Sequence, residues 1–181
     1  ILMNVTIREG YLVSSSRKAF VFGIKLFPVI LISLSPGQLS AAEKFDGQFI
    51  AAEVARAIAS PDNTVEIIVA QPIDVVFDAL LSRLAEYSES ISDISFDNSN
   101  SQNSEAVGVG SQRITTMDDG KRLVQRIIIF EPPNTFAYFT DMAKSTVSVP
   151  IGYSIGYYQF SELQDETVKA EVSVAYKPSS R

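Results

Sequence analysis

The chain has 181 residues and a formal net charge of −6, and 46% of its residues are hydrophobic, which suits one domain with a sizeable core. It contains no Cys, no His and no Trp. These absences exclude a disulfide framework, a thiol nucleophile, an imidazole base and a zinc site of the usual kind. We therefore predict no metal and no cofactor, and only carboxylates, Lys, Tyr, Ser and Thr remain as catalytic candidates.

Residues 1–42 have the order of a secretory signal peptide. Arg17 and Lys18 precede an apolar run at 19–34, and small residues follow it before a predicted cleavage site after Ala42. A secreted or periplasmic protein with no stable membrane span in its mature form is predicted. The alternative is an uncleaved membrane anchor at 19–34, although its uninterrupted apolar part is well short of the roughly 20 residues that a spanning helix needs.

Loss of residues 1–42 removes four basic side chains and one acidic side chain, which leaves a net charge of −9. So acidic a domain lacks the basic stripe that phosphate contacts require. We therefore predict no nucleic-acid partner and interpret the charge as a solvated surface.

The segment 43–63 is predicted to be a short helix with a linker, and the ligand-binding domain proper spans 64–181. The helical part either packs on the domain or serves as a tether. Four apolar side chains stand at helical spacing in it: Phe49, Ile50, Val54 and Ile58.

A strand is predicted at 64–70, followed by a helix that runs to about Tyr87. Pro72 fits the first turn of this helix because its missing N–H costs nothing there, and Asp74 complements the helix dipole. An apolar stripe predicts the buried side of the helix: Val76, Phe77, Leu80, Leu81 and Leu84.

The segment 97–105 follows a short predicted strand at 91–96 and contains no apolar residue. It cannot bury a side chain in a core, so a mobile loop is predicted. The loop is interpreted as a solvated connection, with a gate over a cavity as the alternative.

The middle of the chain predicts a meander of three antiparallel strands. A hairpin-turn signal at 118–120 (Asp-Asp-Gly) separates strands near 113–117 and 122–131. The Pro-Pro-Asn at 132–134 then removes two ladder donors and forces a second reversal before a strand at 136–139.

Two more strands are predicted after the meander. The first, within 146–162, contains Gly152 and Gly156, and glycines inside a long strand mark bends or bulges where a sheet curls. The second, 167–176, alternates cleanly, so that one of its faces is apolar: Val168, Ala170, Val172, Val174 and Tyr176.

Four segments in this order resemble the SRPBCC superfamily, which includes START lipid-transfer domains, birch-pollen-allergen-like proteins and polyketide cyclase/dehydrases. The resemblance implies an α+β, helix-grip-like fold, in which a curved antiparallel sheet packs on helices around an apolar cavity. The segments cover nearly all of the chain after the signal: 65–80 (VEIIVAQPIDVVFDAL), 108–113 (GVGSQR), 131–138 (EPPNTFAY) and 167–178 (TVKAEVSVAYKP).

The sequence departs from the family pattern after residue 178, where family members continue into a long C-terminal helix. We interpret this as a truncation of that helix. Without a cover, the apolar face of the last strand would be exposed at a cost of about 25 cal/mol per Å². As alternatives, the segment 49–59 or a second copy of the chain covers the sheet, so a homodimer is allowed.

The resemblance implies a small hydrophobic ligand, such as a lipid, sterol, quinone or polyketide-like molecule. Tyrosines on the predicted strands are candidates to line its cavity, and two strand arginines are candidate polar anchors. Each also has an ordinary explanation, as a core-edge tyrosine or a solvent-facing arginine. The candidates are Arg113, Arg126, Tyr138, Tyr153, Tyr157 and Tyr176.

A polyketide cyclase- or dehydratase-like lyase is the second hypothesis, so the question of an enzyme stays open, with binding favoured. Such chemistry needs an acid or base with a tuned pKa inside the cavity. Glu131 and Asp141 are weak catalytic candidates at strand ends, where turns explain them equally well. A third hypothesis is contact with another exported protein through an uncovered sheet face.

Overall fold

The computed structural model describes residues 6–7, 47–103, 106–164 and 166–179. The predicted signal peptide and the alternative anchor at 19–34 lie outside these residues, except for one two-residue strand. The fold is α+β, and its curved antiparallel sheet packed on helices confirms the predicted helix-grip-like class.

The described ranges form two helices, one 3-10 turn and eight strands. The predicted meander is confirmed as strands β4, β5 and β6. In chain order the elements are β1 Thr6–Ile7, α1 Gly47–Ala59, β2 Asn63–Val69, α2 Ile73–Leu81, the 3-10 turn Leu84–Glu86, β3 Ile91–Asp97, β4 Gln112–Met117, β5 Arg122–Glu131, β6 Thr135–Asp141, β7 Ile151–Glu162 and β8 Val168–Pro178.

All of these strands join one sheet in the order β1-β2-β8-β7-β6-β5-β4-β3, and every neighbouring pair is antiparallel. Strands β2 and β3 follow each other in the chain but lie toward opposite edges of the sheet, so the segment between them crosses one face. Helix α2 and the 3-10 turn make this crossing. We call the face that α2 covers the inner face and the opposite one the outer face.

The larger core lies between α2 and the inner face. The ring of Phe77 meets three aromatic rings of the sheet, those of Phe130, Phe136 and Phe160, at centroid distances of 6.0, 5.3 and 5.3 Å. The predicted apolar row of β8 joins this core through Val168, Ala170 and Val172, which are buried. The alternation in the sequence therefore correctly identified the side of β8 that faces the helix.

A second core lies between α1 and the outer face. Ile50 and Ala57 of α1 are buried against side chains of three strands, whereas Ile58 is 52% exposed. The strand residues form one row across the sheet, since Phe139 is opposite Ile155 and Ile155 is opposite Ala175. Helix α1 therefore packs on the domain, but it does not cover the inner row of β8, so the alternative of closure by 49–59 is wrong.

Helix α2 ends at Leu81, earlier than the predicted end near Tyr87, and a 3-10 turn follows. The reason lies on a distant strand. The guanidinium of Arg113 donates to the backbone carbonyls of Leu80 and Leu81, which takes up acceptors that a continuing helix would use itself. A tertiary contact thus sets the length of this helix.

The described part of the polar loop is fastened to the start of β4. The Ser111 hydroxyl donates to the Asn98 side chain at 2.8 Å, and the Gln102 backbone N–H donates to the Val109 carbonyl at 2.8 Å. Gly110 has a φ of +97°, and a Cβ there would lie 2.0 Å from the Asn100 carbonyl oxygen. Glycine is therefore required where the loop meets the strand.

Candidate ligand-binding site

Arg113, on β4, is the centre of a polar cluster on the inner face. Its side chain is almost fully buried, with 2% of the residue exposed. Its Nε donates to the Leu81 carbonyl at 2.7 Å, and its Nη2 donates to the Leu80 carbonyl at 3.3 Å. Its Nη1 donates to Oε1 of Gln125 at 2.6 Å. All three acceptors are neutral, so the positive charge stays uncompensated by these bonds.

Within the described part of the chain, Arg113 is the one buried charged residue, and it forms no ion pair with a described carboxylate. Burial lowers the pKa of this guanidinium from its ordinary value, but arginine remains protonated in proteins. An isolated buried charge costs several kcal/mol. Among the described residues, the inner face therefore holds a cation with no carboxylate partner in an otherwise mostly apolar environment.

Two tyrosines complete the cluster. The hydroxyl oxygens of Tyr138 and Tyr158 are 3.1 Å apart, and the Arg113 guanidinium carbon lies 5.9 Å from the Tyr138 ring centroid. Burial raises the pKa of Tyr158 well above its usual range, and the neighbouring Tyr138 adds to this shift. The Tyr158 hydroxyl therefore stays protonated and neutral, and it does not balance the charge of Arg113.

Gly156 makes room for this arrangement. A Cβ at this position would lie 2.6 Å from Cζ and 2.8 Å from the hydroxyl oxygen of Tyr138. Tyr138 stands directly opposite Gly156 in the register, so its ring lies across the neighbouring strand toward Tyr158. The predicted bend glycine is thus explained by a close side-chain approach.

The register extends the cluster into a polar row across the sheet. Arg113 is opposite Gln125, Gln125 is opposite Thr140, Thr140 is opposite Ser154, and Ser154 is opposite Tyr176. Directly opposite residues lie on the same face. Exposure rises along the row, because the first three are buried, Ser154 is half-buried and Tyr176 is 38% exposed. We call these five residues the polar row.

Two hydroxyl oxygens on the same face as Arg113 have no hydrogen-bond partner among the described residues. They are Oγ1 of Thr115 and Oγ1 of Thr140, in residues that are 4% and 2% exposed. Thr115 is two positions along β4 from Arg113, so its side chain is on the same face of the sheet as the arginine. Thr140 is on that face as a member of the polar row. Buried hydroxyls normally find a partner, which makes this pair unusual.

Three of the six predicted ligand contacts, Arg113, Tyr138 and Tyr176, lie on the inner face. The other three lie on the outer face. Tyr153 is buried beside α1 and stacks on Phe139, with ring centroids 5.6 Å apart. Arg126 is exposed above the same Phe139 ring, and Tyr157 is half-buried opposite Ala137 of β6. These two groups of residues cannot contact the same small ligand, because the sheet separates them.

The two carboxylate candidates also occupy positions on the outer-face side of their strands. Glu131 is exposed at the end of β5, opposite Thr135. Asp141, at the end of β6, accepts a hydrogen bond from the Ala143 backbone N–H at 3.0 Å and lies 3.9 Å from the Lys144 ammonium. Asp141 therefore has the turn partners that the sequence suggested as its ordinary explanation. At Glu131 it is the backbone carbonyl that accepts from the Asn134 N–H of the turn, at 2.9 Å.

Sequence reasoning missed Gln125, Thr140, Tyr158 and Ser154, which complete the cluster and the row. A polar residue at every second position of a predicted strand is a weak signal, because a solvent face has the same pattern. Their common location depends on cross-strand pairing that the local pattern does not specify.

The described residues contain no group of three or more acidic side chains arranged to hold a metal ion. Across the same ranges, no helix has the length and apolar character required to cross a bilayer.

Several solved structures are similar to this chain. The protein XoxI from Bacillus cereus has 15% identity and a TM-score of 0.51, with 66% of this chain and 77% of that one covered. An uncharacterized protein from Bacillus thuringiensis has 15% identity and a TM-score of 0.50, with coverage of 66% and 80%. Ara h 8.0201 has 19% identity and a TM-score of 0.49, with coverage of 65% and 79%.

No protein-family model matches the chain, and no curated protein matches it. At such low identities the first two structures establish a shared fold. The class of protein is therefore defined by architecture, as a helix-grip-like α+β domain whose inner face carries a buried arginine among neutral polar side chains.

Proposed function

We propose that the protein binds a small hydrophobic ligand on the inner face of its curved sheet. The observation that carries this proposal is the polar row, in which a buried guanidinium with no carboxylate partner in the described ranges is set among apolar side chains. Ligand sites are typically apolar with a few convergent polar groups that fix orientation. The Arg113 cluster has this composition.

The distribution of apolar side chains on the inner face supports the same proposal. Beneath α2 the face is closely packed by Phe77, Phe136 and Phe160. At the edge of this core, apolar residues of the same face are only partly buried: Ile94, Phe96, Tyr138 and Val174. Two of them are neighbours of the polar cluster, since Phe96 is opposite Arg113 and Ile94 is opposite Thr115. These residues offer a surface that an apolar ligand would desolvate, which is favourable by about 25 cal/mol per Å².

The resemblance to the SRPBCC superfamily points in the same direction, because its members hold hydrophobic molecules between the sheet and the helices. The ligand predicted from that resemblance is a lipid, quinone, sterol or polyketide-like molecule. We propose that Arg113, Tyr138 and Tyr176 contact it. Arg126, Tyr153 and Tyr157 fall outside this proposal, since they lie on the other side of the sheet.

Native mass spectrometry of the protein purified from its host, followed by solvent extraction, tests the proposal. We expect a small apolar molecule in a defined stoichiometry. Ser154→Trp, on the inner face of β7, is expected to reduce ligand occupancy at least tenfold, because the indole would occupy the proposed ligand volume. Tyr157→Trp is the matched control on the outer face of the same strand, and it is expected to retain the ligand.

Retention of the ligand by Ser154→Trp and its loss from Tyr157→Trp would contradict the proposed face. Absence of any bound molecule, together with no binding of added fatty acids or quinones, would contradict the binding function itself. Both variants replace half-buried residues, so their unfolding midpoints report whether either change acts through folding.

A cyclase- or dehydratase-like activity is the second candidate, and the Tyr138–Tyr158 pair favours it. Burial keeps the Tyr158 phenol protonated, and a protonated phenol beside a guanidinium can donate a hydrogen bond that polarises a substrate carbonyl. This hypothesis predicts that the protein converts a β-polyketone to a cyclised product and releases water. It also predicts that Tyr138→Phe loses this activity. A ligand recovered chemically unchanged after long incubation would count against it.

Export by the predicted signal peptide is part of the proposed function. Cleavage after Ala42 predicts that protein isolated from the host begins at residue 43. Detection of residues 19–34 in membrane-associated material would support the anchor instead. Sedimentation equilibrium distinguishes a monomer from the homodimer that the sequence allows.

A further inference from the structure

The geometry points to a ligand that carries one carboxylate on an apolar body, with the carboxylate bound by Arg113 and the hydroxyls of Thr115 and Thr140. This inference rests on the proposed binding function and names the chemical class of its ligand. It is carried by three independent features of the inner face: the charge of the arginine, its unused donors and the two unpartnered hydroxyls.

The first feature is the charge. Arg113 is buried, and its described hydrogen-bond acceptors are two backbone carbonyls and one side-chain amide. None of these groups carries a charge. A single carboxylate would neutralise the guanidinium within the low-dielectric interior, where charge-assisted hydrogen bonds are short and strong.

The second feature is the number of donors. A guanidinium has five N–H groups, and Arg113 uses one on each nitrogen in its three described hydrogen bonds. One N–H on Nη1 and one on Nη2 therefore remain. Binding to the end of α2 occupies Nε and part of Nη2, so the structural role of the arginine and ligand binding use different hydrogens.

The third feature is the pair of threonines. The hydroxyls of Thr115 and Thr140 are donors that have no described acceptor although both residues are nearly fully buried. A buried unsatisfied polar atom is unfavourable for the fold. A carboxylate oxygen accepts several hydrogen bonds, so one ligand group can satisfy hydroxyl donors and arginine donors together.

The size of the charge favours a carboxylate over a phosphate. Arg113 is the only described buried cation, and the chain as a whole has a net charge of −6. A dianion would remain undercompensated in this environment, whereas a monoanion would be balanced. The partly buried Phe96 and Ile94 of β3, which are opposite Arg113 and Thr115, would contact the apolar body.

Binding of matched probes to the delipidated full-length protein at about pH 8 tests the inference, because carboxylic acids are ionised there. The first set is dodecanoate, methyl dodecanoate and dodecanol, and the second is 2-naphthoate and its methyl ester. We expect each acid to bind at least tenfold more tightly than its ester, since hydrogen bonds to charged groups contribute more than neutral ones. The two sets distinguish a chain-like from an aromatic body.

Variants show which residues provide the preference. Thr140→Val and Thr115→Val are expected to reduce the preference for the acid about threefold or more while leaving the unfolding midpoint equal or higher, because each removes an unsatisfied hydroxyl. Thr116→Val, on the outer face of the same strand, is the control and should change neither quantity. Arg113→Gln is expected to abolish the preference, and its circular dichroism spectrum reports whether it folds.

Equal binding of acid, ester and alcohol would overturn this inference while leaving the proposed function intact. Binding of none of the probes would overturn both. A preference for the acid that persists unchanged in folded Arg113→Gln and in both threonine variants would place the anion elsewhere and also overturn the inference.

Discussion

At the scale of single residues, Arg113 connects a strand, a helix end and the candidate site. Its side chain donates to two backbone carbonyls at the end of α2, those of Leu81 and Leu80, which lie 32 and 33 residues earlier in the chain. Cationic groups at a helix C-terminus also interact favourably with the helix dipole. The same guanidinium keeps two N–H donors that its described hydrogen bonds do not use, and these are the donors that we propose for the ligand.

Replacement of Arg113 by Met should lower the free energy of unfolding by about 2–4 kcal/mol, because it leaves the Leu80 and Leu81 carbonyls and the Gln125 amide without their donor. Urea unfolding measures the change. Arg126→Met is the matched control, since Arg126 is exposed above Phe139, and it should cost about 1 kcal/mol or less. Equal effects of the two variants would contradict the structural role assigned to Arg113.

Gly156 supports a second prediction at this scale. Gly156→Ala would place a Cβ within 2.6 Å of the Tyr138 ring, so the ring must move away from Tyr158 at a cost of about 1–3 kcal/mol. Gly152→Ala on the same strand is the control, because the nearest atom would be the Lys177 carbonyl oxygen at 3.9 Å. Thermal unfolding should separate the two variants, and a larger loss for Gly152→Ala would contradict the packing argument.

At the scale of elements, the two helices have different functions on opposite faces. Helix α2 covers part of the inner face and places its C-terminal end beside Arg113, so it forms one boundary of the candidate site. Helix α1 covers the outer rows of β6, β7 and β8. Arg56 of α1 donates to the Tyr176 carbonyl at 3.3 Å and pairs with Asp62 at 3.0 Å. Helix α1 therefore also stabilises the exposed end of the polar row.

The packing of α1 predicts that substitutions of two isoleucines in this helix have different effects on stability. Ile50→Ala should destabilise the protein by about 2–4 kcal/mol, since it removes a buried side chain from the outer core. Ile58→Ala should change stability by about 0.5 kcal/mol or less, because Ile58 is 52% exposed. Chemical denaturation measures both values, and similar losses would argue against docking of α1 through its Ile50 side.

At the scale of the whole molecule, one sheet separates two environments for tyrosine. On the outer face, burial and a hydrogen bond with Glu53 raise the pKa of Tyr153 to about 12. On the inner face, burial is the main cause that raises the pKa of Tyr158, and the neighbouring Tyr138 adds to the shift. Both hydroxyls therefore bind their protons more tightly in the folded state than in the unfolded chain, where tyrosine titrates near pH 10 with an ordinary pKa of about 10.

These pKa shifts predict a loss of stability in alkali. Below about pH 9 both tyrosines are protonated in the unfolded chain, so the stability that their raised pKa values contribute is fully present. Above about pH 10 the unfolded chain binds fewer protons than the folded one, and the free energy of unfolding falls. Urea unfolding between about pH 8 and pH 11.5 should show this decline. Tyr153→Phe and Tyr158→Phe should each make it shallower, and an unchanged slope in both would contradict the assignment.

The order and type of the elements follow from local sequence. Alternation in β8, the Asp-Asp-Gly turn and the proline at the start of α2 each act over a few residues, so the meander, the α2 start and the apolar side of β8 could be predicted directly. The resemblance of four short segments then placed these elements in a helix-grip-like fold. The end of α2 could not be predicted, because a strand residue more than thirty positions away satisfies its last carbonyls.

The candidate site was only partly predictable for the same physical reason. The sequence marks Arg113 and Tyr138 as strand residues with polar side chains suited to a ligand site, but it gives Arg126 and Tyr153 the same properties. Which face a strand residue occupies, and which residue stands opposite it, depend on long-range register. The tertiary structure alone decided that Arg113, Gln125 and Thr140 share one buried row, because cross-strand pairing brings together residues that the chain keeps far apart.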